Sequence, residues 1–149
     1  MAARSKSVPA KPVTFRAYAA SQVAARIGRL AFELRNARRK ASDSGIHDLR
    51  VAIRRLTETL RVFESAFPEK EARKVRKQLR EIMKSAGAVR ELDIALELAA
   101  AASVPPDSSL AAALHRERGQ AAHRLEEAVR RAYRRDITSR WRENLLLTT

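Results

Sequence analysis

Hydrophobic positions recur along most of the chain at intervals of three and four residues, the spacing of one face of an α-helix. The clearest run is spaced 3, 4, 3, 4, 3 and 4 residues apart and consists of Ile46, Leu49, Ile53, Leu56, Leu60, Phe63 and Phe67. Pro68 ends this run, and it suits the first turn of the helix that follows. The pattern predicts an amphipathic second helix with one buried seam.

The segments on either side of this helix show the same spacing. The first helix places small or apolar residues at Ala20, Val23, Ile27, Leu30, Leu34 and Ala37. The third places them at Ala72, Val75, Leu79, Ile82, Ala86, Val89, Leu96 and Ala100. Asp93 falls on this third seam, and a buried carboxylate is costly without a partner. We expect Asp93 to pair with Arg90, Arg54 or His47, either as a structural ion pair or to orient a basic side chain toward a ligand.

A fourth segment is weaker, because Arg118 falls on its apolar face. Its seam consists of Leu114, Ala121, Leu125, Ala128 and Ala132, and it predicts a helix running toward Trp141. Breaks at residues 41–45 and 103–108 separate the segments. The sequence predicts an all-α fold, most simply an antiparallel four-helix bundle of long amphipathic helices over residues 13–149, preceded by a flexible basic arm at residues 1–12.

Composition agrees with helices and excludes several chemistries. The chain has four Gly, five Pro and no Cys, so disulfides, thiolate metal sites and cysteine nucleophiles are excluded. No stretch approaches the roughly 20 apolar residues of a membrane span. The first 32 residues hold no acid, as in an organelle transit peptide, but the helical pattern from Ala20 onward favours a folded helix.

The charge is strongly basic and rich in arginine. There are 31 Lys+Arg against 17 Asp+Glu, a net charge of +14, and 24 of the 31 are Arg. Residues 1–40 carry +9, residues 41–100 carry +2 and residues 101–149 carry +3. Because the guanidinium fork matches two phosphate oxygens, this bias favours a phosphate-rich partner, although a high-GC coding bias gives the same ratio.

Basic residues form stripes beside two of the seams. The second helix carries His47, Arg50, Arg54 and Arg61 within an arc of about 60°. The third carries Arg73, Arg76, Lys77, Arg80 and Lys84 within an arc of about 100°, with Arg90 at its border. Stacked like charges repel, so each stripe is either a solvated surface offset by nearby glutamates or a surface that an anion neutralises.

Enzyme signatures are weak. The four glycines are isolated, which leaves no glycine-rich phosphate loop, and the three histidines are scattered without metal-ligand spacing. No serine or histidine has a recognisable nucleophile setting. We expect no catalytic residue, no cofactor and no metal. Metal or phosphoacceptor chemistry at His47 is the alternative.

Two motifs resemble the CHAD family, the conserved histidine α-helical domain. The first runs from His47 to Leu56 as HDLRVAIRRL, and the second is VRELDI at residues 89–94, preceded by Leu79, Arg80 and Gly87. The resemblance spans residues 14–100 and, more loosely, the fourth helix. It departs from the usual Arg-Asp-x-Asp of the family at Glu91, where the acidic arm is longer.

The resemblance implies an all-helical protein that binds inorganic polyphosphate through Lys and Arg lining a basic channel. With the stripes, it predicts a binding site made of His47, Arg50, Arg54, Arg55, Arg61, Arg76, Lys77, Arg80, Lys84 and Arg90, with Asp93 as an orienting ion pair. Full domains of the family look like two four-helix halves, and this chain resembles the first, so a homodimer that completes the channel is expected, with a monomer bearing an open groove as its rival.

Two other functions stay open at this stage. One is nonspecific nucleic-acid binding, which a charge of +14 permits. The other is a granule-associated interaction protein, because the resemblance implies a place near polyphosphate or polyester storage granules. Such a protein would carry an uncovered apolar face on its first or fourth helix. We expect a cytoplasmic protein, since the sequence shows no membrane span and no signal-peptide hydrophobic region.

Overall fold

The computed structural model describes residues 13–39 and 42–147, and every regular element within these ranges is a helix. The five α-helices are α1 Phe15–Arg39, α2 Asp43–Val62, α3 Glu69–Ala101, α4 Ser109–Arg134 and α5 Ile137–Asn144. A single 3₁₀ turn, Glu64–Ala66, joins α2 to α3. The predicted all-α class is confirmed. The arm predicted at residues 1–12 lies outside the described residues.

The apolar seams meet in one core. Six of the seven predicted positions of the second seam are buried, namely the five from Ile46 to Leu60 in α2 and Phe67 beyond its end, as are the six positions of α3 from Ala72 to Val89. Phe67 is buried and Phe63 packs half-buried against the same core. The buried seam of α1 begins at Ala19, one residue earlier than predicted, because four residues and not three separate its first position from Val23.

The helices contact one another in a closed ring. α1 packs on α2, α2 on α3, α3 on α4, and α4 returns to α1. A four-helix bundle requires this set of contacts, because each helix must bury its apolar stripe against two neighbours. The three connections that fall within the described residues are short, and Ser108 caps α4 by accepting a hydrogen bond from the backbone N–H of Ala111 at 3.2 Å.

The fourth predicted segment is two helices. α4 ends at Arg134, and Asp136 adopts φ 46° and ψ 51°, a left-handed conformation that interrupts the helix. Asp is one of the few side chains besides Gly that tolerate this region. α5 then brings Trp141 into the core, where its Nε1 donates a hydrogen bond to Oε1 of Gln78 at 2.6 Å. The prediction of one helix running to Trp141 is wrong, because a single left-handed residue leaves no mark on hydrophobic spacing.

Side chains at both ends of the fold fasten α5 to α1. Arg142 Nη2 donates to the backbone carbonyl oxygen of Ala24 at 3.3 Å, and Arg16 Nη2 donates to that of Leu145 at 3.1 Å. Leu145 is fully buried beside them. α5 is therefore part of the core. Among the described helices, none combines the length and apolar character needed to cross a lipid bilayer.

Candidate anion-binding groove

The first half of α2 and the second half of α3 enclose a groove of about 280 Å³. Its basic side chains are His47 and Arg50 from α2 and Arg90 from α3. Asp43 and Asp93 also line it. The groove therefore brings together four residues of the predicted site: His47, Arg50, Arg90 and Asp93.

Arg50 is the most deeply placed cation of this groove. The residue is half-buried, and its Nε atom is buried without a hydrogen-bond partner among the described residues. A buried donor left unpaired costs about 1–3 kcal/mol, and more when the group is charged. The same guanidinium forms no ion pair with a carboxylate of the described residues, so an anion in the groove would be its counter-ion.

The carboxylates of the groove are engaged elsewhere. Arg118 of α4 donates from Nε to Oδ1 of Asp93 at 2.5 Å, and its Nη2 lies 3.4 Å from Oδ1 of Asp43. The expectation that Asp93 pairs with Arg90, Arg54 or His47 is wrong. The reason is that Asp93 and Arg118 are the polar residues on the seams of α3 and α4, and these two helices pack on each other.

This ion pair also fixes the charge of Arg118. The hydrogen bond to Asp93 raises the pKa of Arg118 above its ordinary value, against the lowering effect of partial burial, and the charges of Asp93 and Asp43 add to the rise. Arg118 therefore offsets one of the two negative charges, mainly that of Asp93, and no carboxylate of the described residues pairs with Arg50.

The rest of the basic surface follows the antiparallel register of α2 and α3. Arg50 and Arg90 line one groove, and toward the other end Arg76 Nη1 lies 3.8 Å from Oε1 of Glu64. These two contacts indicate that α2 and α3 run antiparallel. The surface between the two contacts is 14 residues long, or about 21 Å at 1.5 Å per residue.

Some cations of the predicted site form ion pairs with glutamates, and others do not. Arg61 lies 2.9 Å from Glu58, Arg76 lies 3.8 Å from Glu64, and Arg90 lies 3.8 Å from Glu97. Within the described ranges, no ion pair with a carboxylate involves the remaining α2 and α3 cations of the predicted site: Arg50, Arg54, Arg55, Lys77, Arg80 and Lys84. These cations remain available to an external anion.

Two predicted residues lie outside the α2/α3 surface. Arg55 lines a separate groove between α1 and α2, with Arg26 and Arg29 of α1. Lys77 lines the cleft between α3 and α5, beside Arg140. The spacing of basic residues shows which of them share a face of one helix. It does not show which neighbouring helix packs beside that face.

Gly87 opens the same surface. A Cβ atom built at Gly87 meets no atom within 4 Å, so nothing in the described protein requires a glycine there. Glycine in the middle of a helix costs about 1 kcal/mol relative to alanine. The position leaves open space beside the helix backbone of α3, into which a ligand can approach.

Arg118 and Arg26 were not among the predicted site residues. The signal for Arg118 was present, because two opposite charges interrupt the seams of α3 and α4, but which seams meet is a tertiary property. Arg26 lies in the acid-free stretch before Glu33, where the excess of positive charge was noted without being assigned to a site. Within the described ranges, no three His, Asp or Glu side chains gather closely enough to hold a metal ion.

The sequence matches the family described as CHAD domain over residues 21–148. The chain belongs to this family, and the match extends through α4 and α5, beyond the residues 14–100 where the motif resemblance is strongest. No curated protein and no solved structure matches the chain. The identification by its two motifs is confirmed.

Proposed function

We propose that the protein binds inorganic polyphosphate in the α2/α3 groove and does not transform it. The observation that carries this proposal is the shared groove of Arg50 and Arg90, in which Arg50 forms no ion pair with any carboxylate of the described residues. Together with Arg118, which pairs with Asp93 and Asp43, three arginines stand against two aspartates at this groove, so its balance is positive. Membership of the CHAD family, which is linked to polyphosphate, supports the same ligand.

The surface suits a polymer of phosphates better than a nucleic acid. Single-strand binding relies on exposed aromatic side chains on which bases stack. α2 and α3 contain no Phe, Tyr or Trp, and in the connection between them Phe63 packs half-buried against the core and Phe67 is buried in it. A ligand with charge at every unit and no bases needs only fixed cations, which this surface provides along about 21 Å.

The test is titration of the whole chain with polyphosphate. We expect R50Q/R54Q to weaken binding by about 100-fold, because each arginine contributes a charge-assisted hydrogen bond of about 1.5 kcal/mol or more. The control is R124Q/R130Q, which removes the same charge from exposed α4 positions outside the grooves described above. It should change affinity by less than about threefold, the effect of exposed charges screened by salt.

Salt dependence provides a second readout. By analogy with DNA, each phosphate contact adds about 0.9 to the slope of log affinity against log salt, so R50Q/R54Q should flatten the slope by up to about two. Circular dichroism verifies that the variants stay folded. Equal losses in R50Q/R54Q and in the control would contradict the proposed groove.

Two further measurements test the choice of ligand and the oligomeric state. Duplex DNA should not displace polyphosphate at equal phosphate concentration, and displacement would favour nonspecific nucleic-acid binding. The proposal includes pairing of two copies that close the open groove into a channel. Sedimentation during the same titration separates this homodimer from a monomer with an open groove.

A further inference from the structure

A second basic groove lies on the opposite side of α2. It measures about 290 Å³ and is formed where α2 packs on α1. Arg26 and Arg29 come from α1, and His47, Asp48 and Arg55 come from α2. Three arginines and one aspartate make this groove positive, and the α2/α3 site does not account for it.

The arginines of this groove differ in how they are held. Arg29 lies 2.7 Å from Glu33, which is only 2% exposed, and its guanidinium also stacks over Phe32. Its charge is therefore committed to α1. Arg26 is half-buried and Arg55 is exposed, and neither forms an ion pair within the described ranges. Arg26 and Arg55 are the cations that an incoming anion can engage.

His47 connects the two grooves, because it lines both of them. Arg50 and Arg55 are five residues apart and therefore about 140° apart around α2. On a helix of 10–12 Å diameter, the direct surface path from one to the other is about 15 Å long, and the path by way of His47 is about 22 Å long. A short anion occupies one groove only, whereas a long polyanion has the length to occupy both.

We propose that a long polyphosphate continues from the α2/α3 groove across α2 at His47 into the α1/α2 groove, where Arg26 and Arg55 contact further phosphates. This inference rests on the proposed function and adds a second segment to its binding path. Once one part of the polymer fills the first groove, its remaining phosphates are held at a high local concentration beside Arg26 and Arg55. The gain in affinity from the second groove therefore depends on chain length.

Comparing tripolyphosphate with a long polyphosphate tests this path in the whole chain. R26Q/R55Q should weaken binding of the long polymer by about 100-fold, because two charge-assisted contacts and their avidity are lost. The affinity of the α2/α3 groove for tripolyphosphate should change by less than about threefold, since exposed charges at a distance are screened. R124Q/R130Q serves again as the charge-matched control, and thermal unfolding verifies the fold of each variant.

A variant that is expected to strengthen binding separates an effect on the groove from damage to the fold. Asp48 lines only the second groove, so D48N should strengthen binding of the long polymer by about threefold, the effect of one exposed charge. Tripolyphosphate bound between α2 and α3 should not respond. A fold disturbed by substitution would not gain affinity, so unchanged or weaker binding of the long polymer by D48N argues against the path.

The outcomes separate the two proposals. If R26Q/R55Q matches R124Q/R130Q while R50Q/R54Q still loses affinity, the path across α2 is overturned and the proposed function stands. If R26Q/R55Q and R50Q/R54Q both match the control, the proposed function fails and the path fails with it. Loss in R26Q/R55Q alone would make the α1/α2 groove an independent site and would also overturn a continuous path.

Discussion

Arg118 links the stability of the bundle to the charge of the groove, and R118M tests that link. The Arg118 side chain is 30% exposed and that of Asp93 is 17% exposed, so the pair is largely but not fully buried. Breaking a fully buried pair costs about 3–5 kcal/mol, whereas an exposed pair contributes about 0–1 kcal/mol. Between these limits, we expect R118M to lower the free energy of unfolding by about 2 kcal/mol. Methionine keeps the long apolar stem, so the loss reports the charge.

Urea unfolding followed by circular dichroism and by Trp141 fluorescence measures this effect. With a urea dependence of about 2 kcal/mol per molar for a chain of this size, the midpoint should fall by about 1 M. The melting temperature should fall by about 4–8 °C. D93L should cost less than R118M, because Arg118 keeps Asp43 at 3.4 Å, whereas R118M leaves the more buried carboxylate unpaired.

The double variant R118M/D93L decides whether the loss comes from the pair. With both charges gone, no unpaired ion remains in the seam, so its stability should return to within about 1 kcal/mol of the natural chain. Losses that simply add in the double variant would refute the pairing argument. R118M should also weaken polyphosphate binding, because Asp93 and Asp43 would then face Arg50 uncompensated.

Two further substitutions probe the helices around the groove. G87A should raise the free energy of unfolding by about 1 kcal/mol, because its Cβ atom meets open space. G119A has equally open surroundings and should stabilise the fold as much without altering polyphosphate affinity. G87A should reduce that affinity. Equal affinities of the two variants would exclude close approach of the ligand at Gly87. W141F should lower the free energy of unfolding, measured in urea, by about 2–3 kcal/mol, because it leaves a cavity and removes the hydrogen bond to Gln78. A loss below about 1 kcal/mol would show that the indole adds little to the stability of the core.

Hydrophobic spacing predicted most of the fold because each seam is a local property of one helix. The α2 positions from Ile46 to Leu60 are buried, since a fixed turn of about 100° per residue sets their side. The break at Asp136 was not predicted, because one left-handed residue changes the direction of the chain without changing the apolar pattern before it. The same limit explains why α4 and α5 read as one segment.

The candidate site was predictable by residue type but not by partner. Arg50 and Arg90 were singled out from sequence, and the structure sets them in one groove. Arg55 was grouped with them, yet it lies across α2 beside α1. The partner of Asp93 was also missed. Which residues meet across helices depends on the order in which helices pack, and spacing along one helix does not encode that order.

The fastening of α5 to α1 governs when the fold can close during synthesis. Arg142 and Ala24 are 118 residues apart in the chain, and Arg16 and Leu145 are 129 apart. A nascent chain leaving the ribosome therefore presents α1 and α3 with their α5-facing surfaces bare until Trp141 has emerged. Because closing so long a loop is entropically costly and slow, this stage is where a chaperone would find exposed apolar surface to hold.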